Sequence, residues 1–300
     1  MSRRDLIIFI SLSFMWSLSF IFYRVGVPEF GSMSFASLRV IFAGVTMLAF
    51  VAFNPSHIKV AAKHWKMLTL VGLVSTSIPF VLFSYAAQSV NAGVLAVLNA
   101  SVPMMSGFIA STFFNDKLSR KQTMGLMIGI VGVVILMSET LFGGDISELS
   151  SGLLPMGYAL LGCVGYAVGA NVTKNYLDDT SPIAITVGAM LIASVVMLPI
   201  AIYEFPYGQS ISLKAWVSVV CIGVFSTAIA FIFINELIKS IGPMRATSIT
   251  LVIPIFAIIF GYILLDEALD MQAIIGSAVI LVGTYLSLNL SIKSFTRSSK

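Results

Sequence analysis

The sequence predicts an all-α membrane protein of ten transmembrane helices, arranged as two inverted five-helix repeats. Three observations carry this. Of 300 residues, 58% are hydrophobic and only 10% charged, where a soluble domain carries roughly 25% charge. Residues 65–133 and 216–284 repeat one pattern at a constant offset of 151 without a gap. Basic residues also gather in alternate loops, which fixes how the chain threads a bilayer.

In the repeat, Trp65 answers Trp216, Gly72 answers Gly223, and Ser75-Thr76 answers Ser226-Thr227. Phe80, Ser89 and Pro103 answer Phe231, Ser240 and Pro254. Asp116-Lys117-Leu118 answers Glu267-Ala268-Leu269, and Gly125 and Gly132 answer Gly276 and Gly283. The earlier helices repeat less clearly, although Trp16 through Arg24 aligns with Tyr166 through Lys174. The predicted repeats are 1–142 and 150–292, joined by a hinge loop over 139–151 with Gly143-Gly144 and three acids.

A span needs roughly 20 apolar residues. The first, 6–23, follows Arg3 and Arg4 without a small-residue cleavage site, so it reads as a retained helix. The next four in the first half are 34–53, 67–86, 92–114 and 123–141. The second half supplies 152–174, 182–203, 215–236, 244–265 and 272–291. A cytoplasmic N-terminus puts Arg3, Arg4, Lys59, Lys63, Lys66, Lys117, Arg120, Lys121, Lys174, Lys239, Arg245, Lys293, Arg297 and Lys300 in the cytoplasm. The other side then receives only Arg24 and Lys214, with the acids Glu29, Glu139, Asp145, Glu148, Glu204, Asp266, Glu267 and Asp270. Both termini are expected to be cytoplasmic. Five spans per half is an odd number, so the second half runs through the membrane upside down. The loops 115–122 and 266–273 are equivalent yet opposite in charge, as an inverted pair should be.

The pattern resembles the EamA family of the drug/metabolite transporter superfamily over nearly the whole chain. The residues that carry the resemblance are Trp16-Ser17-Leu18-Ser19-Phe20 in the first helix and Leu38-Arg39 in the second. With them go the Pro103 and Pro254 helices, each ending in an acid and a leucine, and the glycine-spaced helices that follow (Gly125, Gly129, Gly132; Gly276, Gly283). Asn115-Asp116 stands where the family usually has glutamate. This acid is expected in a loop, without effect on transport. The resemblance implies ten helices around a central cavity and export of amino acids or other small metabolites.

The chemistry-bearing residues are few. No glycine-rich phosphate loop with its lysine is present, so an ATP-driven pump is not expected. No enzyme motif, cofactor or metal site is expected. His57 and His64 fall in one loop, and Cys163 and Cys221 read as packing residues without metal-site spacing. The net charge of +4 reflects basic residues gathered in cytoplasmic loops and is not a nucleic-acid signal. None of the 13 acidic residues falls near the middle of a span, which disfavours a built-in proton relay.

Thr76, Phe80 and Ser84 recur at a spacing of four, and Thr227, Phe231 and Asn235 repeat them. Asn99 shares a helix face with Pro103, and Thr250 with Pro254. Ser13, Trp16, Ser17 and Phe20 share a side of the first helix, and Asn171 lies late in the sixth. The expected substrate cavity is lined by Trp16, Phe20, Thr76, Phe80, Asn99, Asn171, Thr227, Phe231 and Asn235; the competing reading is that such small polar residues glue helices together. Pro103 and Pro254 are expected to kink their helices as mirrored gates. Arg39 is the one charge expected within a span. It is read as a side chain snorkelling to the outer interface and packing on loop carbonyls; the competing reading is a counter-charge for a substrate carboxylate. Gly125-x-x-x-Gly129 is read as a contact within the fold or between protomers, and a monomer or homodimer is expected.

The resulting expectation is an inner-membrane secondary transporter exporting small metabolites such as amino acids, by rocking of two halves about a midplane cavity. The expected partners are a small-molecule substrate and the lipid bilayer. An uptake permease for a specific metabolite and a non-transporting membrane partner protein are the alternatives.

Overall fold

The fold is seen in a computed structural model that describes residues 2–142, 152–241, 246 and 248–288. Helices are its only regular secondary structure among those residues, joined by turns and short loops. Among the described residues nine helices are long and apolar enough to cross a bilayer: α1 Arg3–Phe30, α2 Ser32–Phe53, α3 Trp65–Ala86, α4 Ala92–Phe113, α5 Arg120–Ser138, α6 Leu154–Tyr176, α7 Pro182–Tyr203, α8 Leu213–Ile234 and α9 Ser248–Leu265. A shorter apolar helix, α10 Met271–Ser287, makes ten. A short helix, Ser56–Lys63, joins α2 to α3. The expected hinge residues 143–151, the charges at Arg245, Lys293, Arg297 and Lys300, and the side chains of Glu139, Asn235 and Lys239 lie outside what is described.

The ends of α1 show how local chemistry sets a boundary. Ser2 caps the helix: its hydroxyl accepts from Asp5 N, and Asp5 returns a bond to Ser2 N at 2.8 Å. Gly31 stops it in a left-handed conformation (φ 75°), which a glycine adopts without a Cβ penalty. The helix is longer than its apolar stretch, so Arg24 lies inside it.

The two halves interlock. α1 packs on α8 and α9 of the second half, and α6 packs on α3 and α4 of the first. At the centre of the α2–α7 contact, Gly44 lies against Ser194. A Cβ on Gly223 would touch the carbonyl oxygen of Arg39 at 2.8 Å, and one on Gly72 that of Ala189 at 2.7 Å. These paired contacts equate Arg39 with Ala189.

The glycine helices α5 and α10 form the other seam between halves. A Cβ at Gly125 would lie 2.5 Å from Gly283 O, and one at Gly132 would lie 3.1 Å from Gly276 O. Small residues let backbones approach where lipid supplies no hydrophobic drive. Gly125-x-x-x-Gly129 is therefore a contact within the fold. Gly165-x-x-x-Gly169 likewise admits α3, meeting Val74, Ser75 and Pro79.

Candidate functional site at the centre of the bundle

Two π-helical turns interrupt α3 and α8, at Leu73–Ser77 and Val224–Ile229. They hold equivalent sequences, Ser75-Thr76 and Ser226-Thr227. A π-turn shifts the backbone ladder, and such bulges concentrate at functional sites. In each turn one hydroxyl finds a carbonyl five residues back: Ser77 Oγ donates to Gly72 O at 3.1 Å, and Thr227 Oγ1 to Ile222 O at 2.8 Å. The second turn is tied to α1. Trp16 Nε1 donates to Ser226 O at 3.1 Å, and Ser226 Oγ donates to Met15 O at 2.7 Å.

An aromatic pair stands beside each turn. Trp16 meets Phe231 edge to face with centroids 6.4 Å apart, and Tyr166 meets Phe80 likewise at 6.4 Å. Trp16 aligns with Tyr166 and Phe231 with Phe80, so the two pairs are images of one another across the halves. Tyr166 also stacks on Phe83 at 5.9 Å, and Phe83 meets Phe20 at 6.1 Å.

Arg39 breaks this symmetry. It is 6% exposed, and its guanidinium carbon sits 3.5 Å over the centre of the Phe80 ring. Nε donates to Thr227 Oγ1 at 3.0 Å and Nη1 donates to the Tyr23 hydroxyl. The expectation that Arg39 snorkels to the interface is thus wrong. It lies about 10 Å inside the start of α2, at 1.5 Å per residue, and turns inward because Thr227, Tyr23 and the Phe80 face receive it. The carbonyl-packing role belongs to Arg24, whose Nη1 donates to Ala87 O at 2.7 Å and Gln88 O at 3.2 Å.

The other expected site residues divide. Thr76 and Thr227 are buried in the π-turns, Phe80 is under Arg39, and Trp16 and Phe231 are half-buried beside the second turn. Phe20 is buried against Phe83. Asn171 is glue: its Nδ2 donates to Ser106 O and Oγ, both at 3.0 Å, and to Ala167 O at 2.9 Å. Asn99 is half-buried at the end of the first part of α4. The Asn235 side chain lies outside the described residues.

Pro103 and Pro254 each stand where the regular helix is interrupted, with the residue before each segment still in the right-handed helical region. Each sits in the first turn of a new helical segment, Val102–Phe113 and Ile253–Leu265. Proline lacks an N–H and is tolerated at such a start. The interruption in α4 exposes a carbonyl that α10 satisfies, Thr284 Oγ1 donating to Ala100 O at 2.8 Å.

The described cavity, about 200 Å³, is lined by Ser89, Asn91, Leu136, Met156, Asp270 and Gln272 among others. It lies at the acidic-loop end of the bundle and none of the expected cavity residues lines it. Arg39 and its neighbours Tyr23, Phe80 and Thr227 are all buried.

Ion pairs mark both ends. Arg24 Nε meets Glu267 Oε1 at 2.6 Å, and Glu267 Oε2 also accepts from Ala92 N at 2.7 Å. Lys174 Nζ meets Asp116 Oδ2 at 2.7 Å. Arg24 aligns with Lys174 and Glu267 with Asp116, so these pairs are also images of one another. Five helices separate the two basic partners, so the pairs occupy opposite faces. A third pair, Arg4–Glu236, joins α1 to the segment after α8.

Comparison with known proteins agrees with this architecture. The model of the EamA-like transporter family matches residues 4–138 and again 153–289. The chain is 28% identical over 290 residues to the uncharacterized inner membrane transporter YedA of Escherichia coli (strain K12), covering 92% of this chain and 90% of that one. It is 25% identical to an uncharacterized transporter of Archaeoglobus fulgidus, covering 90% and 94% respectively. It is also 25% identical to a WAT1-related chloroplastic protein of Arabidopsis thaliana, over 93% of this chain and 68% of that protein. A solved structure of 15% identity superposes over 95% of the chain with a TM-score of 0.65, which speaks to fold. With both repeats matched and ten helices in place, the chain belongs to the EamA-like transporter family, within the drug/metabolite transporter superfamily.

Proposed function

We propose that the protein exports small metabolites such as amino acids by alternating access between its two inverted halves, in an inner membrane with both termini in the cytoplasm. The observation that carries this reading is the mirrored constellation at the centre. Two π-turns and two aromatic pairs stand at equivalent positions of opposite halves, and a proline marks an interrupted helix at equivalent positions of each. Interrupted helices at a repeat interface are how carriers present backbone and side chains to a solute. Arg39, Tyr23, Phe80 and Thr227 are buried in this conformation, and rocking of one half against the other would open them to each face in turn. Trp16, Phe80, Asn99 and Phe231 are the proposed lining once it opens. Asn171 is better placed as a tie between α4 and α6.

No acid lies beside Arg39 among the described residues, and Glu236 sits near a face, paired with Arg4. Transport should therefore proceed without an internal protonatable relay.

The test is to delete and to overproduce the protein in its host and to profile metabolites outside and inside the cells. Export predicts that overproduction raises one or more small solutes in the medium, and that deletion raises the same solutes inside. Loss of uptake on deletion would overturn the assigned direction.

A further inference from the structure

Resting on that transport reading, we infer that the central site takes a solute with one carboxylate and an apolar remainder, and that Arg39 is the group that binds the carboxylate. A guanidinium has five N–H donors. Those of Arg39 make two hydrogen bonds, to Thr227 and Tyr23, both neutral hydroxyls. Three donors are left, including both on Nη2, and two adjacent guanidinium protons match the fork of a carboxylate.

Among the described residues the surroundings supply no anion. Arg24, Lys174 and Arg4 each have an acidic partner among the described residues; Arg39 has none. A buried cation inside a membrane span is costly unless something compensates it. Thr227, Tyr23 and the Phe80 face lessen that cost without supplying a negative charge. A solute carboxylate would supply it and would also explain why the cation is held inward.

The inverted symmetry limits the solute to one such group. The position equivalent to Arg39 is Ala189, fixed by the matching contacts with Gly223 and Gly72. It is followed by Met190, buried among Ala43, Met47 and Ala228 with Phe231 alongside. One half therefore offers a charge and the other offers methyl, thioether and aromatic surface. Among the described residues a second carboxylate would find no second cation at the equivalent position.

The test uses purified full-length protein in phosphatidylethanolamine–phosphatidylglycerol vesicles. Flux of labelled L-leucine and L-phenylalanine is measured, with competition by 3-phenylpropionate, its uncharged amide and succinate. The expected result is protein-dependent flux that 3-phenylpropionate inhibits at least tenfold more strongly than either the amide or succinate. In Arg39→Met that preference should fall to about onefold, while Arg39→Lys retains part of it. Equal inhibition by acid and amide in the unmodified protein overturns the inference and leaves transport standing. So does an Arg39→Met protein that keeps the full preference, or the absence of flux of both amino acids. Failure of Arg39→Met to fold leaves the decision to the acid–amide comparison, which needs no variant. The metabolite profiling described above judges the transport reading separately.

Discussion

Asparagine at two positions shows how one residue type serves different ends. Asn171 donates to two acceptors on Ser106 across the α4–α6 contact and to Ala167 within its own helix. Interhelical hydrogen bonds in bilayers are worth about 0.6 kcal/mol each, with a maximum near 1.7. Asn171→Ala should cost about 1 kcal/mol and lower the melting temperature in detergent. Asn99→Ala should leave melting unchanged and slow transport instead. Equal melting of the two variants would put both residues in the same role. The sequence reading placed both in a cavity because it saw polarity and helical spacing but not the partner. Ser106 was not a candidate, and nothing in the spacing of α6 points to it. Arg39 was misread for a related reason: its depth in α2 was legible, but the acceptors that turn it inward come from α1, α3 and α8. Its distance from the helix end told nothing about them.

At the scale of elements, the glycines separate structural need from tolerance. A Cβ at Gly283 would lie 2.5 Å from Gly129 N and 2.7 Å from Gly125 O, both backbone atoms that cannot swing aside. Gly283→Ala should force α5 and α10 apart and cost about 1–3 kcal/mol, the usual range for overpacking. Gly157→Ala meets nothing within 4 Å and should be neutral or stabilising, since alanine is the better helix former. Thermal unfolding in detergent, followed by size exclusion, separates these outcomes; parity between the two variants would refute the seam. Helix number, the long apolar spans and the glycine-spaced helices were readable from apolar length and repeat, but not that the two glycine helices meet each other. The π-turns were not. Ser75-Thr76 and Ser226-Thr227 stand in an unbroken apolar run, and an extra residue per turn leaves no mark in such a run. The proline interruptions were half legible: their position was clear, but the bond that α10 supplies to Ala100 O was not.

Across the whole molecule, one duplicated pattern explains the contacts between halves. The alignment of Arg24 with Lys174 and of Asp116 with Glu267 held the ion pairs in plain view: two equivalent bases and two equivalent acids. What it lacked was the exchange of α1 and α6 between halves, which brings each base to the other half's acid. The pairs differ in shelter. The side chains of Arg24 and Glu267 are 24% and 9% exposed, whereas those of Lys174 and Asp116 are 64% and 49% exposed. Glu267 also caps the first turn of α4 through Ala92 N. Glu267→Gln should therefore destabilise the protein by about 1–3 kcal/mol, because a sheltered arginine loses its partner. Asp116→Asn should fall within about 0.5 kcal/mol, as exposed pairs do. Equal effects in chemical denaturation would show that shelter does not matter here.

That difference in shelter makes ionic strength a one-sided lever. Dissolved ions screen exposed charges beyond about 10 Å at 0.1 M and beyond about 3 Å at 1 M, and they reach Lys174–Asp116 directly. Arg24–Glu267 is held by carbonyl oxygens and a helix end as well as by charge. Raising salt should loosen the α4–α6 end of the bundle first while the α1–α9 end stays shut. The two faces of a nearly symmetrical protein would then answer the same salt gradient unequally.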